Sequence, residues 1–338
     1  MNQNRVIIIA EAGVNHNGNL DLARRMVYAA HEAGADYVKF QTAVPELVIS
    51  TIAPKAEYQK ETTGAAESQL DMCRAIHLPL SDYQELSDLC RQVGIGFLST
   101  PFDLVSIDTL DRLNMDYWKI PSGEITNLPY LRKIASKGGR VILSTGMCEI
   151  HEVEAAVAIL EQGGISRNDI ILLHCNTEYP TPMADVNLRA MHALSTLGCR
   201  AVGYSDHTRG IEVPIAATAL GAKVIEKHFT LDKTMEGPDY KASLEPQELK
   251  AMVDAIRNIE QALGSEEKHV SPSERRNIDI ARKSIVAARP IAAGELYTEE
   301  NITVKRPGGG ISPMMWDKVI GTPAPRDIPY DHLIELKK

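Results

Sequence analysis

The chain has 338 residues, of which 44% are hydrophobic and 24% are charged. This composition is typical of a globular protein, and the length allows a domain of about 250 residues together with a smaller one. The formal net charge of −9 argues against general nucleic-acid binding, and an anionic ligand would need a local cluster of Lys and Arg.

The spacing of the cysteines and the hydropathy of the chain indicate the cellular compartment of the protein. The five cysteines are scattered along the chain without a CxxC pair, which suits a reducing cytoplasm better than a disulfide framework. The N-terminal residues contain no apolar stretch of targeting length, and no segment reaches the roughly 20 apolar residues of a membrane span. We therefore expect a cytoplasmic protein with no membrane and no nucleic-acid partner.

Short apolar runs recur along the chain, and helix-like stretches separate them. Each run has the length of a β-strand, and most are rich in Val, Ile and Leu. The runs cover residues 6–13, 37–42, 95–100, 117–124, 141–147, 170–178, 201–207 and 223–229. This alternation predicts an α/β fold, a (β/α)₈ TIM barrel, whose active site lies at the C-terminal ends of its strands.

Helix signals follow most of these runs. Asn19 is a predicted N-cap for a helix over residues 20–34. Ser81 is a second predicted N-cap, with Glu85 near the position that completes a capping box. Residues 43–80 are too many for a simple crossover, so we predict an elaborated, partly helical loop over the mouth of the barrel.

The composition shifts at Gly264. Residues 264–283 are polar and charged, which is typical of a linker that packs on the surface. Residues 284–338 combine short strand-like runs with many turn residues and indicate a small β-rich domain. The barrel is then expected over residues 1–263. No Gly-x-Gly-x-x-Gly follows a strand, so a Rossmann nucleotide-binding fold is excluded.

Polar side chains stand at or near the ends of most of the apolar runs, where a barrel does its chemistry. They are Glu11, Lys39, Gln41, Thr100, Lys119, Ser122, Glu124, Ser144, His207 and His228. Stability alone gives no reason to place so many polar groups at these positions.

His207 and His228 end two consecutive runs. Neighbouring strands lie about 4.8 Å apart, so two imidazoles at their ends can converge on one cation and leave coordination positions for water and substrate. Glu226 falls on the same face as His228 and can orient the site. The alternative is that the two His are ordinary residues of the barrel interior.

Lys39 and Lys119 lie at inward-capable strand positions. A lysine buried without an anionic partner is costly. One interpretation is a clamp for phosphate or carboxylate groups, joined by Ser122, Ser144 and Ser205. Two alternatives are a Schiff-base lysine of the aldolase kind and structural ion pairs to Glu11 or Glu124.

The remaining candidates are less specific. Glu11 and Glu124 suit acid–base work or the binding of sugar hydroxyls, although an ion pair with a barrel lysine explains either residue nearly as well. Asp239 lies in a Gly-Pro-Asp turn that by itself means little. Arg306 lies in VKRPGGG, which on its own favours a flexible turn with a solvated arginine.

Taken together, the motifs resemble those of the sialic acid synthases, enzymes that condense phosphoenolpyruvate with a sugar to make nine-carbon acids. The matching motifs are EAGVNHNGN, KFQT, KIPSGEITNLPYL, LSTGM, HCNTEYPTP, GYSDHT, EKHFTLDK and GPDYKASLEP. The resemblance spans residues 6–263. It continues in RKSIVAARPI and TVKRPGGGIS, which look like the antifreeze-like (SAF) domain of the family.

The resemblance implies a barrel followed by a SAF domain, in a domain-swapped homodimer whose small domains cap the partner's barrel. A divalent ion, with manganese first and magnesium or cobalt as alternatives, is implied at His207 and His228. Glu11 and Asp239 match carboxylates near the reacting sugar and its water. Arg306 matches an arginine that reaches the acylamino sugar from the neighbouring protomer, which replaces the interpretation as a solvated turn.

Further positions match groups that bind or act on the substrates, phosphoenolpyruvate and an N-acylated mannose-type sugar. They are Lys39, Gln41, Thr100, Lys119, Ser122, Glu124, Ser144, Tyr179, Ser205 and Glu226. HCNTEYP departs from the Thr-Asn of several members, so the contact with phosphoenolpyruvate falls to Asn176 or Thr177.

The segment KAEYQKETTGAAESQLDM looks like the N,N′-diacetyllegionaminic acid branch of the family, so we expect a 2,4-diacetamido-2,4,6-trideoxymannose substrate. N-Acetylmannosamine and the pseudaminic acid precursor are the alternative sugars. Two readings from other classes are another metal-dependent barrel enzyme, such as a class II aldolase or a hydrolase, and a non-enzymatic protein that binds sugar or ice.

Overall fold

The computed structural model describes residues 5–64 and 67–337. Residues 65–66, within the segment compared above with the legionaminic branch, lie outside the described residues, as do residues 1–4 and 338 at the ends of the two predicted domains. The chain divides into two compact units, Met1–Gly264 and Ser265–Lys338.

In the described chain, the first unit contains eight strands in one parallel sheet, in the order β3-β2-β1-β8-β7-β6-β5-β4. The strands are β1 (Ile7–Gly13), β2 (Tyr37–Thr42), β3 (Gly96–Pro101), β4 (Trp118–Ile120), β5 (Val141–Ser144), β6 (Ile170–His174), β7 (Ala201–Asp206) and β8 (Val224–His228). The end strands β3 and β4 also pack side by side, which nearly closes the sheet and confirms the predicted barrel.

Helices alternate with these strands. They are α1 (Leu20–Glu32), α2 (Pro45–Val48), α3 (Glu57–Thr63), α4 (Gln69–Ile76), α5 (Asp82–Val93), α6 (Leu104–Asp111), α7 (Leu128–Lys137), α8 (Ile150–Gln162), α9 (Ala190–Ser195), α10 (Glu212–Ala219) and α11 (Pro246–Ala262). No helix in the described residues is long and apolar enough to span a membrane.

The two predicted N-caps have different outcomes. Asn19 is confirmed, because its side chain accepts hydrogen bonds from the backbone N–H groups of Asp21 and Leu22. The prediction for Ser81 is wrong. Its backbone is already helical (φ −63°, ψ −29°), whereas an N-cap residue is extended, and its hydroxyl donates to Asp82 Oδ1 instead (3.0 Å).

The interior of the barrel changes from apolar to polar towards the C-terminal ends of the strands. An apolar layer at its centre includes Ile9, Leu98, Ile142 and Val224. Because side chains two positions apart share a face of a strand, the next inward residue on each of these strands is polar. Those residues are Glu11, Thr100, Ser144 and Glu226. A larger apolar layer packs between the sheet and the helices.

Residues 43–80, called the insert below, contain α2, α3 and α4, which confirms the prediction of a partly helical loop. The buried Lys55 braces it: Nζ donates to Thr63 Oγ1 (3.0 Å) and Gly64 O (3.1 Å) and pairs with Glu67 Oε2 (3.1 Å). Ser68 caps α4 by accepting from the Asp71 N–H (3.1 Å).

The second unit is small and has its own core. Strands β9 (Ser284–Ala287) and β10 (Ile302–Lys305) pair antiparallel, and isolated bridges extend this arrangement. Its helices are α12 (Pro272–Arg275), α13 (Ile278–Ala281) and α14 (Trp316–Val319). The first two lie within the segment predicted to be a linker. Buried Ile285, Tyr297 and Val319 belong to the core of this unit.

Candidate active site

A cavity of about 440 Å³ opens at the C-terminal ends of the barrel strands. Most of the predicted site residues line it. They are Glu11, Lys39, Gln41, Thr100, Lys119, Ser122, Ser144, Thr177, Tyr179, Ser205, His207, Glu226, His228 and Asp239. The strand register explains why they meet: Glu11 on β1 stands beside Lys39 on β2 and beside His228 on β8.

Lys39 is the centre of a buried polar cluster. Its Nζ lies 2.7 Å from Glu11 Oε2 and 3.7 Å from Glu226 Oε2, and it donates to Thr100 Oγ1 (3.0 Å). The other oxygen of Glu11 accepts from Gln41 Nε2 (3.2 Å). The structural ion pair foreseen for a barrel lysine therefore exists here with Glu11.

Lys119 occupies the other side of Glu226. Its Nζ donates to Ser144 Oγ (2.7 Å) and lies 3.7 Å from Glu226 Oε1, an oxygen that also accepts from Ser205 Oγ (3.0 Å). Glu226 thus stands between two ammonium groups. We call Glu11, Lys39, Lys119, Glu226 and Asp239 the strand-end cluster, although Asp239 is supplied by the loop after β8.

Burial and mutual contacts shift the pKa values of this cluster. Burial raises the pKa of Glu11 to about 7 and that of Asp239 to about 7, with Lys39 opposing both shifts. Burial lowers the pKa of Lys119. For Glu226 burial is outweighed by the two lysines, which lower its pKa, and for Lys39 burial is outweighed by Glu11 and Glu226, which raise it. At pH 7 Glu11 and Asp239 are therefore each about half protonated, so these carboxyls can take up protons when an anionic ligand approaches the two lysines.

The two histidines border this cluster, with ring centroids 5.3 Å apart. His207 Nδ1 is hydrogen-bonded to the carbonyl of Asn176, and its Nε2 lies 2.9 Å from Tyr179 Oη. His228 Nδ1 is buried, has no hydrogen-bond partner among the described residues, and lies 3.8 Å from Asp239 Oδ2. A buried nitrogen without a partner is costly and marks a place for a ligand.

Both imidazoles are neutral at neutral pH, because burial lowers the pKa of His207 to about 4 and that of His228 well below its usual value. Neutral imidazole is the form that binds a metal ion, and the Asn176 carbonyl holds the Nδ1 proton of His207 away from Nε2. The pair therefore fits a divalent ion. In the part of the chain that the structure describes, no group of three or more His, Cys, Asp or Glu is arranged to hold a metal.

Three predicted residues are not among the described residues that line the cavity. Glu124 lies in a 3₁₀ turn and accepts from Asn127 Nδ2 (2.6 Å). The Asn176 side chain accepts from the Glu178 N–H (2.8 Å), so Thr177, rather than Asn176, presents its side chain to the cavity. Arg306 belongs to the second unit, where its Nε donates to Ala281 O (3.1 Å).

A hydrogen-bond chain that the sequence analysis missed holds the loop that carries Asp239. Asn15 Nδ2 donates to Phe229 O (2.9 Å) and to Ser243 Oγ (2.9 Å), and Ser243 Oγ donates to Asp239 O (2.8 Å). Tyr240 Oη donates to the Asn15 carbonyl (2.6 Å). Asn15 and Ser243 fall within motifs noted in the sequence, but no local pattern links residues so far apart.

Cys175 is a second residue that was missed. It lines the cavity with its thiol 3.3 Å from Ser122 Oγ, which also accepts from the Gly146 N–H (2.9 Å). Cys175 lies two positions after Leu173, an inward-facing residue of β6, and strand alternation could have found it.

The insert supplies a wall of different character, which we call the insert wall. Its lining residues are Ala43, Pro45, Val48, Ile49, Ala56, Gln59, Gln69, Met72, Cys73, Ile76 and His77. Most of them are apolar, and none of the described lining residues of the insert is a Lys, Arg, Asp or Glu. Sequence reasoning placed the insert over the mouth but identified none of these residues, because the insert shares no register with the barrel.

Comparison with known proteins now becomes informative. Residues 26–268 match the NeuB family, and residues 282–337 match the SAF domain. The chain belongs to the NeuB family. These matches confirm the predicted family and its architecture of a barrel followed by a SAF domain.

Individual relatives of this NeuB-family chain are named synthases. The N,N′-diacetyllegionaminic acid synthase of Campylobacter jejuni is 52% identical over 330 residues, which cover 98% of this chain and 99% of the relative. The protein of the same name from Legionella pneumophila is 47% identical over 93% of this chain and 89% of the relative.

Among solved structures, the N-acetylneuraminic acid (sialic acid) synthetase of Leptospira borgpetersenii in complex with citrate aligns with a TM-score of 0.70 and 35% identity. The alignment covers 81% of this chain and 90% of that chain. Together these relatives confirm that the chain is an enzyme of the synthase class.

Proposed function

We propose that this NeuB-family chain condenses phosphoenolpyruvate with the open-chain form of an N-acylated mannose-type sugar, forms a nonulosonic acid and releases phosphate. The observation that carries this proposal is one cavity with two buried lysines, two buried carboxyls of raised pKa and a pair of neutral histidines. The names of the relatives support the same reaction class.

Lys39 and Lys119 bind the anionic groups of phosphoenolpyruvate, with Ser122, Ser144 and Ser205 as additional donors. Without substrate, the charges of the two lysines are balanced by Glu11 and Glu226 at 2.7 to 3.7 Å. A phosphate or carboxylate group of the substrate would share these ammonium groups, because Glu11 has a pKa of about 7 and can become neutral as the anion binds.

His207 and His228 would hold the divalent ion, and manganese is the ion we propose first. Once bound, such an ion would supply Lewis-acid polarisation of the aldehyde oxygen of the sugar. The protein orients the pair through the hydrogen bond between His207 Nδ1 and the Asn176 carbonyl and through Tyr179, whose ring stacks on that of His207 at 4.0 Å.

The bonds and protons of the reaction balance with these groups. C3 of phosphoenolpyruvate attacks the aldehyde carbon, a C–C bond forms, and the aldehyde oxygen gains a proton as it becomes a hydroxyl. Water adds to the cationic C2 and gives up one proton, which balances the proton gained by the aldehyde oxygen. The tetrahedral intermediate then collapses: its hydroxyl proton passes to the phosphate, C2 becomes a carbonyl carbon, and the bond between C2 and the phosphate oxygen breaks. Glu11 or Asp239 takes the proton from water, because a carboxyl with a pKa of about 7 can exchange a proton at neutral pH.

For the sugar, we propose 2,4-diacetamido-2,4,6-trideoxymannose and hence N,N′-diacetyllegionaminic acid as the product. The names of the Campylobacter jejuni and Legionella pneumophila relatives support this choice. The insert wall supports it too, because an apolar, uncharged surface suits acyl methyl groups and a deoxygenated carbon better than hydroxyl or phosphate groups. N-Acetylmannosamine and the pseudaminic acid precursor are the alternatives.

The domain-swapped homodimer stays a prediction, in which Arg306 of the partner subunit reaches the acylamino sugar. We expect Arg306→Ala to raise the KM for sugar far more than the KM for phosphoenolpyruvate. Equal effects on both constants in steady-state assays would assign Arg306 a structural role.

Phosphate release from phosphoenolpyruvate labelled with heavy oxygen at the C2–O–P bridge tests the reaction. We expect release only with sugar and divalent metal, and we expect the label in the phosphate because the C–O bond breaks. Release without sugar, or label retained in the organic product, would refute the proposed chemistry. Borohydride trapping of a substrate on Lys39 or Lys119 would instead support the Schiff-base alternative.

A further inference from the structure

One face of α4 forms part of the insert wall. Gln69, Met72, Cys73 and Ile76 all line the cavity. They are spaced by three, four and seven residues from the first, which is the spacing of a single helix face. This face presents one amide, a thioether, a thiol and an aliphatic side chain to the cavity.

The charges of α4 are held on its other side. Arg74 donates to Glu46 Oε1 (2.7 Å) and to Asp71 Oδ1 (2.9 Å), and all three of these side chains are exposed to a large degree. Ser68 caps the helix and the buried Lys55 braces the chain before it. The orientation of the cavity face is therefore fixed by contacts that leave its own polar group unused.

That unused group is the side-chain carbonyl of Gln69. Its Oε1 is buried and has no hydrogen-bond partner among the described residues. A buried amide oxygen without a donor is costly, so a donor from a ligand is expected. Gln59, the other glutamine of the insert wall, differs because its Oε1 already accepts from the Ala56 N–H (3.0 Å).

We propose that Gln69 is a specificity-determining residue, which accepts a hydrogen bond from the N–H of the second acylamino group of the sugar. Met72 and Ile76, which lie four residues apart on the same face, pack against the acyl methyl group. This inference rests on the proposed function. It assigns to the cavity face of α4 the discrimination between the diacetamido sugar and N-acetylmannosamine.

The side chains on the cavity face of α4 favour an acylamino group over other substituents of the sugar. The free atom of Gln69 is an acceptor, so the ligand must donate, and the apolar neighbours require a methyl or similar group beside the donor. A secondary amide with an acyl methyl supplies both. An ammonium or phosphate group would be buried against this face without a counter-charge, which is costly.

Gln69→Met tests the proposal, because methionine keeps the length of the side chain and removes the amide. We would measure kcat/KM for phosphate release with 2,4-diacetamido-2,4,6-trideoxymannose and with N-acetylmannosamine. We expect the ratio of the two values to fall at least tenfold, mainly through the KM for the diacetamido sugar. The KM for phosphoenolpyruvate should change by less than about twofold, since its lysines are untouched.

Gln84→Met is the matched control, because Gln84 lies exposed on α5. In the described residues its Nε2 donates a hydrogen bond to Asp88 Oδ2 (3.1 Å), on the same helix. Gln69→Asn is a second variant. It keeps the amide but withdraws it by one methylene, and we expect it to lose the preference too. Thermal melting and the KM for phosphoenolpyruvate show whether each variant is folded.

An unchanged ratio in Gln69→Met, or equal losses for both sugars, would overturn the role of Gln69. If the parent released phosphate with neither sugar, the proposed function would fail, and Gln69 would be tested by calorimetric binding of the diacetamido sugar. An equal Kd for parent and variant would then overturn this inference as well.

Discussion

The strand-end cluster and the insert wall face the same cavity but are built in opposite ways. The cluster consists of ionisable groups that are at least nine-tenths buried, and all of them except Asp239 are fixed by the register of neighbouring strands. The wall is largely apolar, and its charges point elsewhere into exposed ion pairs. We propose that the cluster determines which reaction occurs and that the wall determines which sugar reacts.

The strand-end cluster and the insert wall also differ in the folding free energy that a substitution costs. Charges buried in the barrel cannot be removed singly without leaving a partner unpaired, so the cluster tolerates little change. The side chains that line the wall include no Lys, Arg, Asp or Glu among the described residues, so exchanging one of them leaves no buried charge unpaired. The wall can therefore change its preferred sugar while the chemistry stays intact, and the predictions below test that separation.

The largest effect is expected for Lys39→Met. Glu11 and Glu226 would lose their shared cation, and breaking a buried ion pair from one side costs about 3–5 kcal/mol of unfolding free energy. Urea denaturation measures this loss. Arg74→Met in the insert is the comparison, because its exposed ion pairs contribute only about 0–1 kcal/mol. Equal losses in the two variants would contradict the contrast between the regions.

His207→Ala should lower kcat about 10³-fold, roughly 4 kcal/mol, because the proposed Lewis acid would lose a ligand. The midpoint of thermal unfolding should change little. His192→Ala on exposed α9 is the matched control. Full turnover after treatment with a chelator would show that the histidine pair has another role.

Asn15→Ala should cost about 1–3 kcal/mol of unfolding free energy, since the variant removes a buried donor shared by Phe229 O and Ser243 Oγ. The series of hydrogen bonds that begins at Asn15 ends at Asp239. We therefore expect kcat to fall more than the KM for phosphoenolpyruvate rises. A double-mutant cycle with Ser243→Ala should be non-additive. Additive losses would mean that Asn15 does not act through Ser243.

The last prediction concerns the pH dependence of stability. The Asp239 carboxyl has a pKa of about 7 in the folded chain and 3.8 as an unperturbed group. Between these values the folded state holds a proton that the unfolded state has lost, so rising pH favours unfolding. Relative to Asp239→Asn, the parent should lose up to about 1.4 kcal/mol per pH unit across this range. A constant difference between the two proteins from pH 4 to pH 8 would show an ordinary carboxyl.

The sequence predicts the strand-end cluster for a physical reason. Strand side chains alternate with a period of two, so a polar residue two positions after an inward apolar one must enter the cavity, as Glu11 follows Ile9. The (β/α)₈ rhythm then brings all strand ends to one rim. Glu124 and Asn176 lie beyond the ends of β4 and β6, and local hydrogen bonds with Asn127 and with the Glu178 N–H hold their side chains instead.

The insert wall and the Asn15 chain could not be predicted in this way. The face of α4 is visible in the sequence as a helix face, but which face meets the cavity depends on the bracing by Lys55 and Arg74. The contact from Asn15 to Ser243 joins residues 228 positions apart, and no local pattern reports it.

The most direct test of the division between cluster and wall is kcat/KM for phosphate release with the two sugars on the parent enzyme. We predict at least a tenfold preference for 2,4-diacetamido-2,4,6-trideoxymannose over N-acetylmannosamine, about 1.4 kcal/mol of transition-state binding, at an unchanged KM for phosphoenolpyruvate. An equal or reversed preference would contradict the assignment of sugar selection to the insert wall.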